Sequence, residues 1–279
     1  MSVWLITGAS RGLGRELAAS ALAHGDQVIA AARDPRAVAG ALLRGGEELL
    51  AVGLDVTDQK QAAEAVAAGV EHFGRIDVLV NNAGYGLFGA VEEISDAEAR
   101  ALFDTNVFGL LNVTRAVLPV LRSQGTGRVI NIGSSAGVSA SAGRGLYGAS
   151  KAAVESVSEA LHAELAPLGI YVTLVEPGSF RTEFLSGDSV RRAGQAIEAY
   201  QDTAGQLVGA LDAGNGRQPG DPARAVAAIR ELAEAAEPPL RLPLGSDCVS
   251  LVEDKLASVM SELSRWRELA MSTDFPPGQ

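Results

Sequence analysis

The chain has 279 residues, a mass of 28.7 kDa, and 47% hydrophobic against 20% charged residues; this excludes the disordered class, and folding is expected to bury roughly 73% of the unfolded surface. Cys248 is the only cysteine, which excludes an internal disulfide and fits a reducing compartment, the cytoplasm by default. With 34 acidic and 23 basic side chains the net charge is −11, so nucleic acid and anionic membrane are not expected as partners, and no apolar run approaches the ~20 residues of a membrane span.

Short runs rich in Val, Ile and Leu alternate with longer Ala-rich amphipathic segments, the pattern of repeated βαβ units around a parallel sheet. The first predicted strand, 3–7, leaves no room for a charged leader, and none is expected. It runs into Thr7, Gly8, Ala9, Ser10, Arg11, Gly12, Leu13 and Gly14, with a helix predicted from Gly12. Glycines spaced Gly-x3-Gly-x-Gly between a strand and a helix let backbone N–H groups and the helix dipole approach a pyrophosphate, the context that dinucleotide binding requires. A plain tight turn is the alternative. The second strand, 27–32, leads into Arg33, about 20 residues beyond the glycines, where NAD-binding proteins usually carry an acid for the ribose hydroxyls. Arg33 and Arg11 can instead surround a 2′-phosphate through paired donors, which predicts NADPH over NADH, with Asp34 as a competing ribose ligand.

A helix from Pro35 leads to the third strand, 49–54, which delivers Asp55 and Val56, a carboxylate and an apolar neighbour able to hold the edge and face of adenine. After a helix from Asp58, the fourth strand, 76–81, runs into Asn81, Asn82, Ala83 and Gly84, whose amides can tie adjacent loops and whose glycine permits close backbone approach. Helices are predicted from Asp96 and Asp247 as from Asp58, since short acceptor side chains suit helix starts. The fifth strand, 128–132, precedes Ser134. A helix from Tyr147 then places Lys151 four positions on and on the same face. A phenol with a pKa near 10 is a poor acid or base at neutral pH, and a nearby ammonium brings it closer to working range.

The sixth strand, 171–176, is followed by Pro177, Gly178 and a long interval, 179–221, that contains seven glycines. An interval of this length after a strand's C-terminal end predicts a mobile substrate lid. A helix from Pro222, a strand at 240–244 and the helix from Asp247 continue the alternation, and the tail at Pro276, Pro277 and Gly278 is expected to fray. The reading is an α/β chain forming one domain over 1–279, a Rossmann fold with a doubly wound, seven-stranded parallel sheet and helices on both faces.

In this order the motifs resemble the short-chain dehydrogenase/reductase family in its compact, non-extended form, over about 3–182. The resemblance implies that Gly8, Gly12 and Gly14 are cofactor glycines, Asp55 an adenine contact, 81–84 the family's Asn-Asn-Ala-Gly motif, and Pro177, Gly178 and Thr182 a nicotinamide clamp. It implies a catalytic tetrad of Asn106, Ser134, Tyr147 and Lys151, in which Ser134 holds the carbonyl oxygen, Tyr147 supplies a proton and Lys151 lowers the tyrosine pKa and bonds the nicotinamide ribose. Asn106 would kink its helix and hold a water. The expected activity is NADP(H)-dependent hydride transfer to a ketone or from a secondary alcohol. A dehydratase or epimerase on the same scaffold and an NADP-binding regulatory module are the alternatives. The resemblance also implies a homodimer or homotetramer, associated through helices at 96–121 and 147–167.

Segments 86–89, 137–144 and 180–185 are expected around nicotinamide, and their Leu87, Phe88, Val138, Ala140, Phe180, Phe184 and Leu185 predict a bulky, mainly apolar substrate such as a ring system. Tyr85 to Gly89, with Phe184, resembles the hydroxysteroid and retinol branch of the family. Arg144 is the polar exception, directed either to solvent or to an anionic group remote from the reacting carbonyl. His24, His72 and His162 lie apart in predicted helices, so no metal site is expected. Cys248 reads as a packed side chain, and Glu47, Glu48, Glu92 and Glu93 as solvated charge.

Overall fold

The structure, a computed structural model, describes residues 1–42 and 46–275; Pro276, Pro277 and Gly278 lie outside the described residues. Its strands are β1 (Val3–Thr7), β2 (Gln27–Ala32), β3 (Leu49–Gly53), β4 (Val78–Asn81), β5 (Gly86–Phe88), β6 (Gly127–Ile132), β7 (Ile170–Pro177), β8 (Val190–Arg192) and β9 (Arg241–Leu244). Seven of them form one sheet in the order β3-β2-β1-β4-β6-β7-β9, parallel throughout. These are the seven predicted strands, with ends shifted by at most two residues. The helices are α1 (Gly12–Ala23), α2 (Pro35–Ala41), α3 (Gln59–Phe73), α4 (Asp96–Phe103), α5 (Leu110–Gln124), α6 (Ser135–Val138), α7 (Gly145–Leu165), α8 (Gln206–Gly214), α9 (Pro222–Glu234) and α10 (Ser246–Met271).

The central strands are apolar along their length because helices cover both faces. Alternate residues divide between two core layers: Trp4, Ile6, Val28 and Ala30 pack with Leu17 of α1 and Ile229 of α9, and Val3, Leu5, Ile29 and Ala31 pack with Val66 of α3 and Val117 of α5. The chain reverses its direction of travel across the sheet between β1 and β4. Such a switch point opens a crevice at the C-terminal strand ends, where ligands bind in open α/β sheets.

Asp58 caps α3 by accepting from Lys60 N–H and Gln61 N–H. Two other expected caps are corrected. Ser95, not Asp96, caps α4 in a capping box closed by Glu98, and the Asp247 carboxylate reaches out of α10 to accept from Ser179 N–H at 2.7 Å.

Residues 179–221 start and end at one place, because Arg181 N–H donates to Gly220 O and Gly220 N–H to Ser179 O, each at 2.9 Å. Within this segment β8 pairs with β5 as a two-stranded parallel ribbon that the strand pattern does not predict. Glu92 is exposed as expected and accepts from Tyr200 Oη at 2.5 Å, whereas Glu93 is not the solvated charge expected: it is buried and accepts from Ile197 N–H and Ala90 N–H. They tie this segment to the body. No helix of the described residues is long and apolar enough to cross a membrane.

Candidate active site

A cleft of about 1290 Å³ opens over the C-terminal ends of β1, β2, β4, β6 and β7. At one end lies the glycine turn. Gly8 and Gly12 both have positive φ, at 66° and 55°, which favours glycine over any residue with a Cβ. Nothing stands within 4 Å of where a Gly12 Cβ would be, so that space belongs to the cleft. Gly14 is corrected: it does not line the cleft but packs beneath the turn, where a Cβ would overlap Asn82 Nδ2 and Gly8 O. The first turn of α1 has neither a side-chain cap nor an acidic residue, leaving backbone N–H groups for an external anion. A carboxylate already stands there: Glu183 Oε2 accepts from Gly12 N–H at 3.4 Å, and Oε1 lies 3.7 Å from Arg15. The donor set therefore fits a pyrophosphate.

Asn82 locks this turn to the β4 loop, donating from Nδ2 to Thr7 O at 2.9 Å and Gly8 O at 3.2 Å. Thr7, which sequence reasoning did not single out, accepts from Asn82 N–H and Ala83 N–H at Oγ1. Ser10, Arg11, Leu13, Arg33, Asp55, Val56, Ala83 and Gly84 line the cleft. Asp34 lines the cleft as well. It caps α2 and accepts from Arg36 N–H and Nε–H, and that guanidinium holds its carboxyl below the usual range. Arg33 thus stands in the cleft beside an acid whose carboxylate is engaged by Arg36.

Pro177, Gly178 and Thr182 line the other end, beside Ser134, Tyr147 and Lys151. Ser134 caps the short α6, accepting from Ala136 N–H at Oγ. Tyr147 and Lys151 stack one turn apart on α7, both buried. Lys151 Nζ donates to Ile132 O at 2.7 Å, and burial brings its pKa down to about 8. Burial holds the Tyr147 phenol above its usual range, against which Ser134, by a hydrogen bond, and the Arg144 guanidinium, by its charge, pull down. That pull was expected from Lys151; here it comes from Ser134 and Arg144.

Asn106 sits behind the cleft in a π-turn over Asp104–Gly109 that interrupts the helix between α4 and α5. Its Oδ1 accepts from Tyr85 N–H, and its Nδ2 donates to Tyr85 O and to Ser150 Oγ. Ser150, immediately before Lys151, is a second buried partner that sequence reasoning missed. Behind the catalytic face, Glu176 is buried with no hydrogen-bond partner for Oε1 among the described residues, and burial together with the Glu155 charge pushes its pKa up to about 7.

The wall beyond Tyr147 is apolar. Phe88 and Phe184 flank the Tyr147 ring with centroids at 5.9 and 6.2 Å, and Phe180, Leu185, Leu207 and Leu211 extend the surface. Leu87, Val138 and Ala140 do not line it. Alternation along β5 turns Leu87 into a separate cluster with Tyr85, Ile94 and Leu102 while Phe88 faces the cleft. Arg144 does line the cleft, with Nε buried and without a hydrogen-bond partner among the described residues, and Arg191 stacks over Tyr85 at 4.1 Å.

Residues 2–192 match the family described as short chain dehydrogenase. The chain is 39% identical to an oxidoreductase, BOA17, of Botryotinia fuckeliana, covering 97% of this chain and 98% of that one. It is 36% identical to a 3-ketodihydrosphingosine reductase of Bacteroides thetaiotaomicron, over 86% and 87% of the two chains. The solved short-chain dehydrogenase from Streptomyces avermitilis superposes with a TM-score of 0.91 at 42% identity, over 98% of this chain and all of that one. Two further solved relatives hold a cofactor: one from Burkholderia phymatum with NAD (TM-score 0.83, 25% identity, 94% and 95% covered) and one from Burkholderia cenocepacia with NADP (0.73, 28%, 95% and 96%). By its sheet order, its glycine turn and this breadth of similarity, the chain belongs to the short-chain dehydrogenase/reductase family of oxidoreductases.

Proposed function

We propose that the protein is an NADP(H)-dependent ketoreductase, or alcohol dehydrogenase in the reverse direction, acting on a bulky, mainly apolar substrate. The observation that carries this reading is the convergence of Ser134, Tyr147 and Lys151 on one end of a cleft whose other end is a glycine turn that already draws a carboxylate, that of Glu183, to a backbone donor.

Gly8 to Leu13 would hold the pyrophosphate, Arg33 with Arg11 the 2′-phosphate, Asp55 and Val56 the adenine, and Asn82 to Gly84 the middle of the dinucleotide. Lys151, Pro177, Gly178 and Thr182 would hold the nicotinamide end. When bound, the cofactor supplies or accepts a hydride at carbon. Ser134 donates to the substrate carbonyl oxygen and fixes its position. Tyr147 gives that oxygen a proton as it gains charge, general acid catalysis of the kind that contributes ~100-fold or more. Lys151 holds the ribose, and Asn106 positions it through Tyr85 and Ser150.

Phe88, Phe180, Phe184, Leu207 and Leu211 support an apolar skeleton as ligand, and the relative named 3-ketodihydrosphingosine reductase supports a keto group as the one reduced. Residues 179–221 act as a lid that excludes water. The lone cysteine and the net charge support a cytoplasmic enzyme, and the family resemblance a homodimer or homotetramer. Oxidation of NADPH against a panel of multi-ring ketones, small aldehydes and sugars tests the reading; faster turnover of the small polar compounds, or none with any ketone, would reject it.

A further inference from the structure

Helix α10 leaves the body almost as soon as it starts. Its one buried residue is Cys248, and from Glu253 to Phe275 every residue is exposed. The 19 residues from Glu253 to Met271 extend the helix by about 28 Å, each of them exposed among the described residues. Isolated helices of this length are marginal in water.

The free portion is amphipathic. Val249, Val252, Leu256, Val259, Leu263 and Trp266 are spaced 3, 4, 3, 4, 3, the seam of a two-helix coiled coil. Leu256, Trp266 and Leu269 are 61%, 58% and 62% exposed, and Met260 joins them. Most of the chain's large exposed apolar side chains lie on this one element. Surface helices do not present such a stripe to water without a partner.

We propose that α10 is an association arm that pairs along this seam with α10 of a second copy of the chain. The positions flanking the seam carry Glu253, Lys255, Glu262 and Arg267, two acids and two bases, so the flanks of two copies do not repel despite the net charge of the whole. Arg267 meets an acid of the second helix in either orientation, Glu262 when parallel and Glu253 when antiparallel. The exposed apolar side chains amount to roughly 600 Å² per copy, so the pair would bury roughly 1,200 Å², the lower end of a stable interface. A lipid surface fits worse. From Glu253 to Met271 there are four acidic and three basic residues, whereas helices that lie on membranes are rich in Lys and Arg on the polar face.

The test is light-scattering mass of the purified full chain at micromolar concentration, for the parent and for Leu263→Glu/Trp266→Glu. Both residues are exposed and remote from the cleft, so turnover should be retained. The parent should weigh at least about 57 kDa, twice the 28.7 kDa chain, and the double variant half the parent's mass. Halving is the readout even if helices at 96–121 and 147–167 also associate and the parent is a tetramer. Ser261→Glu, on the opposite face of the helix, should leave the mass unchanged. A double variant that keeps the parent's mass would overturn the proposal. So would a 28.7 kDa parent, whether or not it floats with phosphatidylcholine vesicles.

Discussion

Ser134 stands beside Tyr147 at the end of the cleft, where its hydroxyl opposes the burial that holds the phenol above its usual range. The pair is thus poised with the proton on Tyr147 and a donor beside it, the state needed to protonate a carbonyl oxygen.

Tyr147→Phe keeps the ring between Phe88 and Phe184 and deletes the proton. Carbonyl reduction should fall at least ~100-fold, with NADPH affinity by fluorescence titration within about twofold of the parent. Retention of a tenth of parental turnover would assign the acid elsewhere.

Arg33 and Asp34 both line the cleft, and the Asp34 carboxylate is bonded to Arg36. Arg33→Ala should weaken NADPH by about 1 to 3 kcal/mol, the scale of a charge-assisted hydrogen bond, and leave NADH nearly unchanged. Comparable kcat/KM for the two cofactors in the parent would contradict this.

The Arg144 charge favours the phenolate of Tyr147. Alcohol oxidation needs that phenolate as base, so Arg144→Ala should move the rising limb of the oxidation rate to higher pH. An unshifted profile would show that the charge does not reach the phenol.

Glu176 has its pKa raised from 4.5 to about 7. Between those values the native state binds a proton that the unfolded chain does not, so this residue makes stability fall as pH rises through that window. Glu176→Gln should therefore stabilise the protein at pH 8, by up to about 3 kcal/mol, and the gain should vanish near pH 4.5. Denaturant titrations at the two pH values measure it. Lys151, lowered to about 8, acts with the opposite sign above that pH, outside the window. A Glu176→Gln gain independent of pH would refute the assignment.

The seven sheet strands were legible because each is a short Val-, Ile- or Leu-rich run buried on both faces. The ribbon of β5 and β8 was not, since Gly86–Phe88 and Val190–Arg192 are three residues each and the second is mostly arginine. Glu93 reads as surface charge in any local window; its burial is made by Ile197, which folds back from 104 residues away. The motifs at 8–14, 81–84 and 147–151 were legible as a set because their order along alternating elements matches the cleft rim. Gly14 and Leu87 show the limit: spacing places a residue near a site, and the pleat or the helix turn decides which way it faces. Ser95 and Glu98 have the three-residue spacing of a capping box, and Asp96 beside them has an equally suitable acceptor side chain, so the local sequence leaves the choice of cap open by one residue. The seam of α10 lies in the sequence at 3-4 spacing, but the same spacing marks any amphipathic helix that covers a sheet, so the pattern alone does not tell a buried face from an exposed one.

The Glu183 carboxylate at Gly12 N–H puts an anion of the chain's own at the start of α1, on the place that the proposed function gives to a pyrophosphate. On that reading a dinucleotide binds by exchange with a tethered competitor whose local concentration is fixed by the chain, and its departure lets that competitor return. Each exchange would then move the segment that carries Glu183, the same segment that supplies Phe184 and Leu185 to the apolar wall.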